Sequence, residues 1–252
     1  MSAATAPAAN AASRLAAVQE RIADAANRAG RNPDNVTLVA ISKTFSPEQI
    51  VPVVEAGQRV LGENRVQEAE EKVGELPPSI TWHLVGHLQT NKINKALELF
   101  ALIHSVDSTH LAEAIARRAE RAGTPAHVLL QVNLAHKETQ FGFGESEVHA
   151  AVPALLALPG LSLDGLMCIA PEVERAEETR SYFQRLAALH QALAPQVRAA
   201  GHSWEHLSMG MSSDYPIAVE EGATLVRVGR AIFGERTSAT PQAAVTPAAR
   251  AS

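Results

Sequence analysis

Apolar and polar positions along the chain repeat one unit: a short apolar, β-branched run, then a stretch with helical periodicity. A first helix, about Ser13 to Ala29, sets Leu15, Val18, Ile22 and Ala25 on one face and stops at Gly30. It leads into Val36-Thr37-Leu38-Val39-Ala40-Ile41-Ser42-Lys43-Thr44, which has the length and composition of a buried strand. Ser46-Pro47-Glu48 reads as an N-cap, a proline at the first helical position and an acid in the first turn, opening a helix that stops near Gly57. Strands follow at about Arg59–Asn64, Ile80–Gly86, Ala101–Val106, Ala126–Asn133, Leu161–Ile169, Trp204–Met209 and Thr224–Val228. Their helices are expected at about Val66–Leu76, Thr90–Leu99, Ser108–Ala122, Glu145–Leu158, Val173–Ala200 and Asp214–Gly222, with a last helical segment from Arg230.

Eight strand–helix units in 252 residues predict an α/β fold, a single (β/α)8 TIM barrel. An open doubly wound sheet would more often carry a glycine-rich turn after its first strand, and Lys43-Thr44-Phe45 has none. Residues 1–11 and 237–252 lack large apolar side chains and are expected to be disordered, leaving 12–236 as the barrel.

Composition narrows the function. A net charge of −5 argues against a general nucleic-acid surface. No run is long and apolar enough to span a bilayer and no secretory leader is evident, so a cytoplasmic protein is expected. Cys168, the single cysteine, excludes an internal disulfide and a cysteine-based zinc site, and its apolar neighbours predict a buried hydrophobe. His83 and His87 are four apart but bridge a strand and its loop, so no metal site is expected. Arg117, Arg118 and Arg121 read as a solvated helix face.

Lysine is scarce, five residues against seventeen Arg, so a lysine at the end of an apolar strand invites a chemical reading. A partly desolvated Lys43 can condense with an aldehyde, which Arg cannot do; from position alone, a lysine snorkelling to solvent is an equal reading. In a barrel the segments after the strands form one rim that carries the site. That rim collects Lys43, Glu63, Asn64, His87, Asp107, Asn133, Met209 to Ser213 and Arg227 to Arg230. The segments after strands seven and eight, Ser208-Met209-Gly210-Met211-Ser212-Ser213-Asp214 and Arg227-Val228-Gly229-Arg230, supply glycines and hydroxyls where such barrels usually hold a phosphate. A phosphate site opposite an imine-forming lysine suggests pyridoxal phosphate.

Five stretches carry a more specific resemblance: Ala40-Ile41-Ser42-Lys43-Thr44, Gly62-Glu63-Asn64-Arg65-Val66-Gln67-Glu68, Trp82 to Lys92, Leu207-Ser208-Met209-Gly210-Met211-Ser212 and Arg227 to Gly234. In this order they resemble the YggS/PROSC family of pyridoxal phosphate homeostasis proteins. The resemblance implies a fold type III-like barrel similar to the N-terminal domain of alanine racemase. It also implies pyridoxal 5'-phosphate held as an internal aldimine on Lys43, and a role in carrying and buffering the cofactor without established turnover. By matching position, Ser212 with the backbone N–H groups of Gly229 and Arg230 would hold the phosphate, Arg227 would face the pyridine nitrogen, and Asn64 and Met209 would lie against the ring. Apoenzymes that need the cofactor are the implied recipients, and the chain is expected to act as a monomer. Relatives often carry Thr at Arg230 and lysines at Phe45 and near Gln140, so this chain departs from them there. Two other readings stand beside this one: an alanine-type racemase of low activity, with Tyr215 near the rim as the second base, and a cofactor-free aldolase using Lys43.

Overall fold

The computed structural model describes residues 5–137 and 139–234. Among them, eight strands close in sequence order into one parallel barrel: β1 Thr37–Ile41, β2 Val60–Glu63, β3 Thr81–Leu84, β4 Leu102–Val106, β5 Ala126–Val132, β6 Leu161–Cys168, β7 His206–Ser208 and β8 Leu225–Val228. The helices are α1 Thr5–Arg28, α2 Pro47–Glu55, α3 Val66–Val73, α4 Ile93–Leu99, α5 Thr109–Ala122, α6 Glu145–Leu155, α7 Arg180–Ala199, α8 Tyr215–Glu220 and α9 Arg230–Phe233. The expected (β/α)8 barrel is thus present. It closes where β1 pairs with β8, setting Val39 beside Arg227.

Alternation along each strand divides the core in two. Leu38, Ala40, Leu61 and Leu130 face the helices, while Val39, Ile41, Leu102, Leu129, Met167 and Leu225 pack inside the barrel. β6 carries a bulge: Val128 pairs with Leu163 but Leu129 pairs with Gly165, so Asp164 is the extra residue. Its carboxylate accepts from Ser162 Oγ at 2.7 Å and lies 2.7 Å from His127 Nδ1.

The local signals at α2 operate as expected, with Pro47 in the first turn and Ser46 N–H donating to Gln49 Oε1 at 3.0 Å. Two helices depart from expectation. α1 begins at Thr5, inside the stretch expected to be structureless, because an Ala-rich run costs little to continue as helix. Ala11 is already buried there, and Arg14 Nε donates to Ile232 O at 2.6 Å, fastening α1 to α9. α7 begins at Arg180 rather than near Val173, because residues 169–175 run as irregular chain and bend. The chain from Ile169 to Arg175 therefore crosses the rim before a short 3-10 turn at Ala176–Thr179. The expected C-terminal tail, 237–252, lies outside the described residues. No described helix is long and apolar enough to cross a membrane.

Candidate functional site

A cavity of about 560 Å³ opens at the C-terminal ends of the strands, lined by Ile41, Lys43, Asn64, Val85, Ile169, Glu172, Met211, Ser212, Arg227, Gly229 and Arg230. β1 delivers Lys43, β2 Asn64, and the segments after β7 and β8 the remaining polar groups. Six of the seven residues expected at a cofactor site thus share one cavity: Lys43, Asn64, Ser212, Arg227, Gly229 and Arg230. Met209 is the correction. β7 ends with Ser208 turned into the barrel, so the next side chain turns outward, and Met209 is fully buried in the layer against the helices. Met211, two residues on, lines the cavity instead.

Asn64 owes its place to a close backbone approach. A Cβ on Gly86 would sit 2.3 Å from Asn64 O, and Ser105 Oγ holds Gly86 O at 2.7 Å. The segment after β7 is tied by Asp214, whose Oδ1 accepts from Met211 N–H at 2.6 Å, and by Arg227 N–H donating to Gly210 O at 3.0 Å. Burial pushes the Asp214 carboxyl up, with the Met211 N–H and the Arg227 charge pulling it back. Ser212 Oγ lies 3.5 Å from Ala231 N, which brings the two rim segments together. Gly229 and Arg230 open α9, and the first N–H groups of a helix have no acceptor within it.

Beneath the cavity the barrel interior holds a polar chain that sequence reading did not assemble. Arg227 donates to Ser208 Oγ at 2.6 Å and to Cys168 O at 2.8 Å. Ser208 Oγ lies 2.8 Å from His104 Nδ1, and His104 Nε2 lies 3.0 Å from His83 Nδ1. A guanidinium only donates, so the arrangement that leaves no buried proton unmatched runs one way. Ser208 O–H donates to His104 Nδ1, and His104 Nε2–H donates to His83 Nδ1. Burial, then the neighbouring His206, depresses His83 to about 4, and burial, His83 and Arg227 hold His104 well below its ordinary value. Both imidazoles are therefore neutral near pH 7. Burial also lowers Arg227, though a guanidinium remains protonated, and pushes the Cys168 thiol up to about 12, where it is inert.

Tyr215 does not reach this site. It is fully buried on α8, with the Arg21 guanidinium of α1 5.4 Å from its ring centroid. The departures from relatives also find places. Phe45 stacks on Phe233 at 4.9 Å between centroids, Gln140 Nε2 donates to Ile169 O at 3.1 Å, and Arg230 is exposed at the cavity edge. His87 pairs with Asp107 at 2.8 Å and stacks on the exposed Phe141.

The chain matches the family described as alanine racemase, N-terminal domain, over residues 13–237. It is 41% identical to the pyridoxal phosphate homeostasis protein of Aquifex aeolicus over 90% of this chain and 99% of that one. To the protein of the same name in Escherichia coli K12 it is 36% identical, over 88% of this chain and 95% of that one. The structure of PipY from Synechococcus elongatus PCC7942, with PLP bound, superposes with a TM-score of 0.77 at 40% identity, covering 89% of this chain and 100% of that one. With identity of this level along nearly the full barrel, the chain belongs to the alanine racemase N-terminal-domain family and, within it, to the pyridoxal phosphate homeostasis proteins.

Proposed function

We propose that this protein binds pyridoxal 5'-phosphate in the rim cavity and serves as its carrier and buffer, releasing it to apoenzymes that need it. One observation carries the reading: a single cavity of about 560 Å³ holds a lysine amine, anion donors and a buried guanidinium. The donor set fits the group, and the volume is in the range of small-ligand sites. When bound, pyridoxal phosphate supplies an aldehyde that condenses with a primary amine, losing water.

The chain's own residues divide the work. Lys43 provides the amine. Ser212 O–H and the backbone N–H groups of Gly229 and Arg230 offer donors to a phosphate. Ile41, Val85, Ile169 and Met211 restrict water. Arg227, with two donors spent on Ser208 and Cys168, lines the cavity and would offer a ring nitrogen a donor while yielding no proton. That keeps the ring a weak electron sink, which suits holding the cofactor rather than turning over substrates on it. Racemisation also needs an acid or base on each face of the substrate, and Tyr215 points into the helix layer.

The test is the visible absorption spectrum of the purified protein with pyridoxal phosphate, followed by borohydride reduction and peptide mapping. The expected result is a reduced adduct at Lys43 that Lys43→Ala abolishes without changing the circular dichroism. An adduct scattered over Lys92, Lys95 and Lys137, or persisting in Lys43→Ala, overturns the reading. Steady conversion of L-alanine to D-alanine by the loaded protein would favour a racemase instead.

A further inference from the structure

Behind Lys43, on the far side of the barrel wall from the cavity, lies a buried ion pair that contributes no cavity-lining group. Glu63 ends β2 with its side chain fully buried, and Lys72 comes from α3 with its side chain 7% exposed. Lys72 Nζ donates to Glu63 Oε1 at 2.7 Å and to the carbonyl oxygen of Ser42 at 2.9 Å. Ser42 Oγ donates to the same Glu63 oxygen at 2.7 Å. Glu68, 4.0 Å from Lys72, accepts the backbone N–H of Thr44 at 2.9 Å. The cluster thus grips the residue before Lys43 and the residue after it.

Two features set it apart from a stabilising contact. Glu63 Oε2 is buried with no hydrogen-bond partner among the described residues, and burial drives the Glu63 carboxyl upward against the pull of Lys72 and Ser42. A buried pair with an unmatched oxygen contributes little net stability, and an apolar pair of similar volume would serve the core as well. The second feature is Thr44 itself. It adopts φ 69, a left-handed backbone that a β-branched residue holds only when its surroundings enforce it.

We propose that Glu63, Lys72 and Glu68 are positioning residues for Lys43. By holding the Ser42 carbonyl and the Thr44 amide, they fix the strained turn that aims the Lys43 amine into the cavity. For the cofactor itself the inference rests on the function proposed above; for the turn it stands alone.

The test uses the full chain in three variants. Glu63→Leu with Lys72→Met removes both charges and keeps volume, Glu68→Ala removes the acceptor of the Thr44 N–H from a partly exposed site, and Glu63→Gln keeps an acceptor oxygen. In apo-protein, amide hydrogen exchange over Ser42 to Phe45 is expected to speed up about tenfold in the first two variants and to stay near wild type in Glu63→Gln. With pyridoxal phosphate, the fraction trapped by borohydride at Lys43 is expected to fall about tenfold in the same two, since a strained turn is worth that much. Binding of 4'-deoxypyridoxine phosphate, which has no aldehyde, should be unchanged. Wild-type exchange and wild-type trapping in the double variant and in Glu68→Ala would make the cluster mere core filling and overturn the proposal. If the double variant does not fold, Glu68→Ala decides. If wild type itself takes neither ligand, the proposed function fails, and the exchange data still decide the turn.

Discussion

Ser208 shows how much one hydroxyl can hold. It accepts from Arg227 and donates to His104, both buried, so Ser208→Ala strands a guanidinium N–H and an imidazole nitrogen at once. Leaving buried polar groups unmatched costs about 1–3 kcal/mol each. The expected loss in urea denaturation is therefore at least about 2 kcal/mol, and a change within experimental error would mean that the chain from Arg227 to His83 is not formed. At this scale the sequence was readable where chemistry and position coincide. Lys43 stands out as a rare lysine ending an apolar strand, and Ser212 and Arg227 fall in the segments at the ends of strands seven and eight, whereas the individual roles of those two against the cofactor rested on resemblance. Met209 was misplaced because the strand's end fixes which side chain turns inward, and one residue reverses the answer. Lys72 was missed although lysine's scarcity applied to it equally, because its helix reads as a charged surface face. The His83–His104 contact joins residues 21 apart in sequence, visible only once β3 and β4 are in register.

At the scale of elements, the apolar runs located all eight strands, and helix boundaries failed where the signal was not periodicity. α1 ran further back than its apolar face indicated, and α7 started later because a stretch of irregular chain and a 3-10 turn precede it. The bulge in β6 left no mark in the hydrophobic pattern, yet its glycine is testable. Gly165 has φ 151, and a Cβ there would lie 1.9 Å from His206 O, on the backbone of the neighbouring strand. Neither partner can move without breaking the β6–β7 ladder. Gly165→Ala is expected to destabilise the fold by more than about 3 kcal/mol, beyond the usual overpacking cost. A urea midpoint close to wild type would show that the two strands can separate freely at that point.

For the molecule as a whole, the strongest solution-level consequence is acid sensitivity. His83 and His190 are held at about 4 and His104 well below its ordinary value, in each case by burial first. Unfolding frees these imidazoles to bind protons near their ordinary value of 6.5. Their contribution to stability is therefore complete above that value and is lost as pH falls toward 4, at up to about 1.4 kcal/mol per pH unit for each proton taken up. Glu63 and Asp214, raised by burial, act in the opposite sense: their contribution is present below the ordinary carboxylate range and lost as pH rises through their folded values. Stability measured at pH 7, 6 and 5 should fall, and His190→Gln, remote from the cavity, should flatten the slope by about one proton's worth. An unchanged slope in that variant would mean His190 is not held neutral.

The barrel's seam has a further consequence, concerning time. Lys43 follows the first strand and Gly229 and Arg230 follow the last, and the β1–β8 ladder is what brings them together. During synthesis the amine emerges nearly two hundred residues before its partners at the cavity. Until the final strand docks, a nascent chain carries Lys43 without the backbone donors of Gly229 and Arg230, and a chain stalled before β8 never acquires them. Capture of the ligand is thus a report that the ring has closed.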